Sequence, residues 1–160
     1  MAVVPQETQL AFDYTALEVV LTRVLVTVTG ASIYAFAIEH PEGVIVVDTG
    51  ETARASQPGY FPRWHPGLRA FREWVEPEQE IGPQLEGLGI RPSDVRWAVM
   101  THLHTDHAGG LHHFPDNDIL VTRTELEFGS GVRGRMRGYV ANLHWPTWFE
   151  PTLVELEPEP

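Results

Sequence analysis

The 160-residue chain contains no cysteine and no lysine. Without cysteine there is no disulfide framework, no thiolate nucleophile and no thiolate-ligated metal, which leaves histidine and carboxylate groups as the only strong metal ligands. Without lysine, Schiff-base chemistry and a phosphate-loop lysine are excluded, and all 11 basic residues are arginine. Against these stand 22 acidic residues and a formal charge of -11, so the surface repels phosphate backbones and anionic lipid headgroups. Neither nucleic acid nor a membrane is an expected partner. No apolar run approaches the roughly 18 residues of a membrane span, and the N-terminal MAVVPQETQL lacks the basic and apolar segments of a secretory signal. With 42% apolar and 21% charged residues, the expectation is one globular domain over residues 1–160, located in the cytoplasm.

Residues 18–29 and 32–39 are rich in Val, Ile, Leu and aromatics and flank Gly30, which predicts an antiparallel hairpin. Val44 to Val47 is a short continuous apolar run of the buried-strand type, ending at Asp48-Thr49-Gly50. From Glu51 to Trp74 no stable period is found, which predicts a long surface loop. Ile81, Leu85 and Leu88 fall at helical spacing before Gly89, and Pro83 confines the helix start to Glu80 to Gly82, where acidic residues would meet the positive end of the helix dipole. Val95 to Met100 and Ile119 to Thr122 read as further strands, and Thr124 to Phe128 opens another helix. Residues 152–156 resemble the start of one more strand. The order predicts mixed α and β layers.

The chemistry concentrates in Thr101-His102-Leu103-His104-Thr105-Asp106-His107-Ala108-Gly109-Gly110, directly after an apolar strand. At a strand end the two-residue period turns His102 and His104 to one side, where their imidazoles can converge on a cation. Beyond the bend, Asp106 and His107 can face a second cation nearby. Oxygen and imidazole donors suit zinc, with iron or manganese as alternatives. Gly109 and Gly110 let the backbone pass close to the metals or open the next helix without a Cβ clash.

This decapeptide resembles the HxHxDH signature of the metallo-β-lactamase superfamily, and Val47-Asp48-Thr49-Gly50 resembles that family's first motif. The surrounding sequence, from Val19 to Phe128, is similar to the branch containing N-acyl homoserine lactonases. The resemblance implies an α+β fold, an αββα sandwich with a binuclear metal site at one edge. It further implies that His102 and His104 ligate one metal, that Asp106 and His107 ligate the other, and that Asp48 sits behind them as a hydrogen-bond acceptor. The implied reaction is opening of an ester or lactone by a metal-bridged hydroxide, with Asp106 assisting proton transfer to the leaving alkoxide. Thioester hydrolysis of the glyoxalase II type, β-lactam cleavage and phosphodiester cleavage use similar ligand sets and stay open as alternatives.

Family members carry further ligands downstream, in a Pro-Gly-His-type motif, a bridging Asp and a last His. After His107 this sequence offers only His112, His113 and His144, none in such a context, so these read as surface and packing residues. The expectation is therefore an N-terminal half of the sandwich, which either meets a missing C-terminal part or associates with a second copy. A noncatalytic chain acting by association is the rival reading from another class. Arg133, Arg135 and Arg137 could clamp an anion, though a solvated face is the simpler account. Trp64, Trp74, Trp145 and Trp148 with Phe61, Phe71 and Phe149 could line an acyl pocket, while core and loop packing is the simpler job for most.

Overall fold

Short runs of β-branched residues separated by turns and helices build the centre of the molecule. The computed structural model describes residues 18–20, 33–65, 67–68, 75–140 and 143–155. Among these, six strands form one mixed sheet in sequence order: β1 Glu18–Val20, β2 Phe36–His40, β3 Gly43–Val47, β4 Val95–Val99, β5 Asp118–Thr122 and β6 Thr152–Val154. The first three are antiparallel neighbours, and β3 to β6 run parallel. Parallel neighbours require crossovers. Helix α1, Ile81–Gly87, lies in the first, and α2, Thr105–Ala108, continues into a 3-10 turn at Gly109–His113 in the second. Helices α3, Arg123–Ser130, and α4, Val132–Met136, occupy the third.

Register and burial together show which face is covered. Ala37, Val46, Ala98 and Ile119 stand in one cross-strand row, and all are buried in a core shared with Ile81, Leu85, Leu111 and Phe114. The neighbouring row, Phe36, Val47, Val99 and Leu120, is half-buried. This alternation is what successive Cβ atoms pointing to opposite faces produce. The expected α and β layering is present, while the second sheet of the expected sandwich is not among the described residues. Of the predicted hairpin, β1 and β2 do pair antiparallel, with Val19 opposite Ile38. Its turn at Gly30, together with Phe71, Trp74 and the tail from residue 156, lies outside the described residues.

Helix α1 begins and ends where Pro83 and Gly89 place it, with Gly89 at φ 81 just past the last turn. One expectation is corrected. Glu80 precedes the helix, yet it makes no side-chain cap to it and no acidic residue sits in the first turn. Its carboxylate instead accepts from the Thr52 hydroxyl and the Ala53 amide and faces two histidines, because charge-assisted partners outweigh the weak attraction of a helix end. Of the aromatics, Trp145 and Phe149 pack 4.9 Å apart against the core, whereas Trp64 and Trp148 are exposed. Arg133, Arg135 and Arg137 are all exposed. No helix among the described residues is long and apolar enough to cross a membrane.

Candidate metal centre

Strands β3 and β4 end side by side, and the loops that leave them meet. The Asp48 amide donates to the Val99 carbonyl at 2.9 Å, and Asp48 then bends the chain with φ 58, a left-handed conformation that Asp tolerates better than most residues. That bend is held by side-chain hydrogen bonds. Asp48 Oδ1 accepts from the Thr101 amide at 2.8 Å, and Oδ2 accepts from the Thr101 hydroxyl at 2.7 Å and from His107 Nδ1 at 2.8 Å. At 4% exposure the carboxylate is shut from water, so these donors replace its hydration.

The four motif residues come together beyond the strand rather than on it. Strand β4 stops at Val99, and His102 and His104 occupy a loop whose last residue caps α2. Donor atoms of His102, His104 and Asp106 all lie within 4.8 Å of one another. The His102 and His104 rings are 4.9 Å apart, and those of His102 and His107 are 3.8 Å apart. Asp106 Oδ2 is also 3.6 Å from His107 Nε2, so Asp106 joins its expected partner His107 to the His102–His104 pair.

Hydrogen bonds to the other ring nitrogens settle which atom each histidine can offer. Asp48 is an acceptor, so His107 Nδ1 carries a proton and Nε2 keeps the free lone pair. The Thr101 hydroxyl gives its proton to Asp48 and therefore accepts from His102 Nδ1 at 3.1 Å, freeing His102 Nε2. His104 Nε2 donates to the Arg137 carbonyl at 3.3 Å, which frees Nδ1. Three imidazoles anchored through one nitrogen, each with the second available, together with one carboxylate, are a donor set that suits a divalent cation.

Charge and burial oppose one another at these rings. Burial, reinforced by the neighbouring His107 and His104, lowers the His102 pKa and so favours its neutral, ligating form. Burial also works against protonation of His107, but the Asp48 hydrogen bond and the nearby Asp106 carboxylate hold its pKa above the ordinary value. Beside them, the Tyr139 ring lies 4.0 Å from that of His104, and Glu125 accepts from the Leu103 amide at 2.8 Å, fixing the loop between the first two histidines.

Of the two tasks expected of Gly109 and Gly110, the structure shows the second: they open the 3-10 turn Gly109–His113 where a Cβ would clash. A Cβ on Gly110 would collide with the Thr49 carbonyl, and one on Gly109 would meet the Thr52 amide nitrogen at 2.7 Å. Both amides donate to the Gly50 carbonyl. The glycines thus let the 3-10 turn after α2 press against the 49–52 turn, and not against the histidine cluster.

The remaining histidines separate. His144 stacks on Tyr60 at 4.0 Å and bonds to its carbonyl, a packing role. His112 and His113 are not mere surface residues: both rings converge on Glu80 through Nε2, at 3.0 and 2.6 Å from Oε2. Sequence reasoning missed this group because Glu80 is far from the histidines along the chain. Thr101 was missed as well, although its place between strand and motif was a usable signal.

Comparison with known proteins agrees with this geometry. Residues 28–159 match the sequence profile of the Metallo-beta-lactamase superfamily, and the chain belongs to that family. Among curated relatives, the N-acyl homoserine lactonase AttM of Azorhizobium caulinodans is 35% identical over 95 residues, covering 58% of this chain and 35% of the relative. An N-acyl homoserine lactonase of Bacillus thuringiensis is 34% identical over 96 residues, covering 59% of this chain and 38% of the relative. The chain thus spans little more than a third of the length of these relatives. Among solved structures, a B. thuringiensis AiiA variant with N-decanoyl-L-homoserine at its active site superposes with a TM-score of 0.55 at 32% identity, over 62% of this chain and 40% of that one. An N-acyl homoserine lactone hydrolase with N-hexanoyl-L-homoserine at its catalytic metal centre gives 0.57 at 25% identity, over 72% and 51%.

Proposed function

We propose that this chain carries metal-binding machinery for hydrolysis of N-acyl homoserine lactones or closely related esters. The observation that supports this most directly is the set of three histidines with opposite nitrogens anchored, gathered around Asp106. His102 and His104 are assigned to one divalent cation and Asp106 and His107 to a second, zinc fitting the donors best and iron or manganese being alternatives. Divalent cations held there would polarise the ester carbonyl and make hydroxide available near neutral pH. Asp48 keeps His107 and, through Thr101, His102 in ligating tautomers. In lactone opening, water oxygen adds to the carbonyl carbon, the bond to the ring oxygen breaks, and Asp106 passes a proton to that departing oxygen, leaving an N-acyl homoserine. Similarity to the lactonases supports this substrate class over thioesters, β-lactams and phosphodiesters.

The test is turnover of N-hexanoyl-L-homoserine lactone by purified chain supplied with Zn²⁺, followed as ring-opened acid. Zinc-dependent opening that disappears in His102→Ala, His104→Ala protein is expected. A folded, zinc-binding chain without lactone turnover would overturn the hydrolase assignment for this chain and favour the noncatalytic reading.

A further inference from the structure

Glu80 is 7% exposed and precedes α1. One of its oxygens, Oε1, accepts from the Ala53 amide at 2.7 Å and the Thr52 hydroxyl at 3.1 Å. The other, Oε2, faces two imidazole nitrogens at once, His113 Nε2 at 2.6 Å and His112 Nε2 at 3.0 Å. The donor atoms of the three residues lie within 4.8 Å of one another, in a cluster separate from the one built on the HxHxDH motif. The two ring planes are tilted with centroids 4.1 Å apart, so both histidines aim at a common point without stacking flat.

Two details fit this group to a cation. His112 Nδ1 donates to the Gly109 carbonyl at 3.2 Å, the backbone anchor that fixes ligating histidines and leaves Nε2 as the coordinating atom. In helix α1, a Cβ on Gly82 would overlap the His113 ring. Glycine inside a helix is less stable than alanine, and here its effect is to let that imidazole lie against the helix and reach Glu80. Without an ion, Glu80 Oε2 can face two imidazole nitrogens only if both carry protons. Since His112 already donates through Nδ1, it must then be a full cation. Hydrogen bonding to Glu80 raises the His112 pKa accordingly. The Glu80 carboxyl is held far below the usual carboxylate range: burial opposes ionisation, but hydrogen bonds from His112, His113 and Ala53 overcome it.

We propose that Glu80, His112 and His113 form a second divalent-metal site, a two-histidine, one-carboxylate set of zinc type, distinct from the HxHxDH centre. Tetrahedral zinc with ligands at about 2.0–2.1 Å separates neighbouring donors by about 3.4 Å, so the two contacts of Glu80 with His112 and His113 need to open by less than about 1 Å. The ion takes the place of the protons between the three groups and releases them on binding. His112 is part-exposed and lines a cavity of about 310 Å³ with Arg54, Tyr60, His144 and Trp145, so an ion can reach this ligand from solvent. Bound there, the ion joins the 52–53 turn, the start of α1 and the 3-10 turn that follows α2. Its role is therefore that of a structural clamp.

Zinc stoichiometry tests the proposal without reference to turnover. Metal-free chain is titrated with Zn²⁺ against a chromophoric chelator, in parent protein, in His102→Ala, His104→Ala protein, and in His112→Ala, His113→Ala protein. The motif variant is expected to retain about one tightly held equivalent, and the second variant to lose about one relative to parent. Equal stoichiometry in parent and His112→Ala, His113→Ala protein overturns the proposal and leaves the triad as an ion pair only. Should a variant fail to fold by circular dichroism, histidine-ring ¹⁵N spectra of the parent decide. Zinc-dependent shifts of both His112 and His113 Nε2 support the site, and their absence at saturating Zn²⁺ overturns it.

Discussion

His107 is tied through Nδ1 to Asp48 Oδ2 at 2.8 Å, and the same oxygen accepts from the Thr101 hydroxyl at 2.7 Å. One carboxylate therefore sets the tautomer of His107 directly and that of His102 through a hydroxyl. Substituting Asp48→Asn separates this role from backbone geometry, because asparagine also tolerates the φ of 58 found there. An amide can offer its oxygen to only part of these donors, and its own protons oppose the rest. Zinc affinity of the HxHxDH centre is expected to fall about 10–100-fold with the fold retained, measured by chelator competition and circular dichroism. Unchanged affinity would remove Asp48 from the ligand-orienting role.

Thr101→Val should act on the same relay one step later. The methyl preserves shape and strand propensity but removes both the donor to Asp48 and the acceptor for His102 Nδ1. Losing a hydrogen bond to a buried charged group costs about 1.5–3 kcal/mol, so urea unfolding should show a loss of that order. Zinc affinity should fall too, since His102 is free to rotate. Thr101→Ser keeps the hydroxyl and is expected to behave as parent in both measurements.

Asp106→Asn is expected to lower lactone opening by about 100-fold or more while changing unfolding free energy by less than about 1 kcal/mol. The residue is half-exposed and its carboxylate faces the histidines rather than the core. Steady-state rates and urea melts on the same preparation make the comparison. Equal turnover by variant and parent would refute its assignment.

Gly110→Ala tests the packing of the 3-10 turn after α2 against the 49–52 turn. The added methyl would strike the Thr49 carbonyl and approach Ile81 Cγ2 at 2.8 Å, both in buried surroundings. Overpacking of this kind costs about 1–3 kcal/mol, and displacement of α2 should weaken zinc binding in parallel. A melt indistinguishable from parent would show that the turn gives way freely.

Local pattern was sufficient for much of this molecule. Val44–Val47 and Val95–Val99 announce themselves as buried apolar runs, and His102 to His107 fall within six consecutive positions, so one loop can gather them. What stayed hidden depends on crossovers folding back on one another. Glu80 and His113 are 33 residues apart and meet only because α1 packs against the turn after α2. His104 finds its carbonyl partner at Arg137, also 33 residues away, after β5, α3 and α4 have intervened. Glycine spacing likewise gave no hint of which surface presses on Gly110, since periodicity describes a single element and not its neighbour.

The short stretch from Asp48 to Ala53 has a wider reach than its length implies. Its first residue orients the HxHxDH histidines, and its last two receive the Glu80 carboxylate. Between them, Thr49 takes both its amide and hydroxyl bonds to the His107 carbonyl. Any drift of this hinge disturbs both histidine groups together, so neither can be retuned by substitution in these six residues without the other answering. Variation that spares both groups would have to accumulate elsewhere, as at the exposed Arg133 and Arg135 side chains of helix α4.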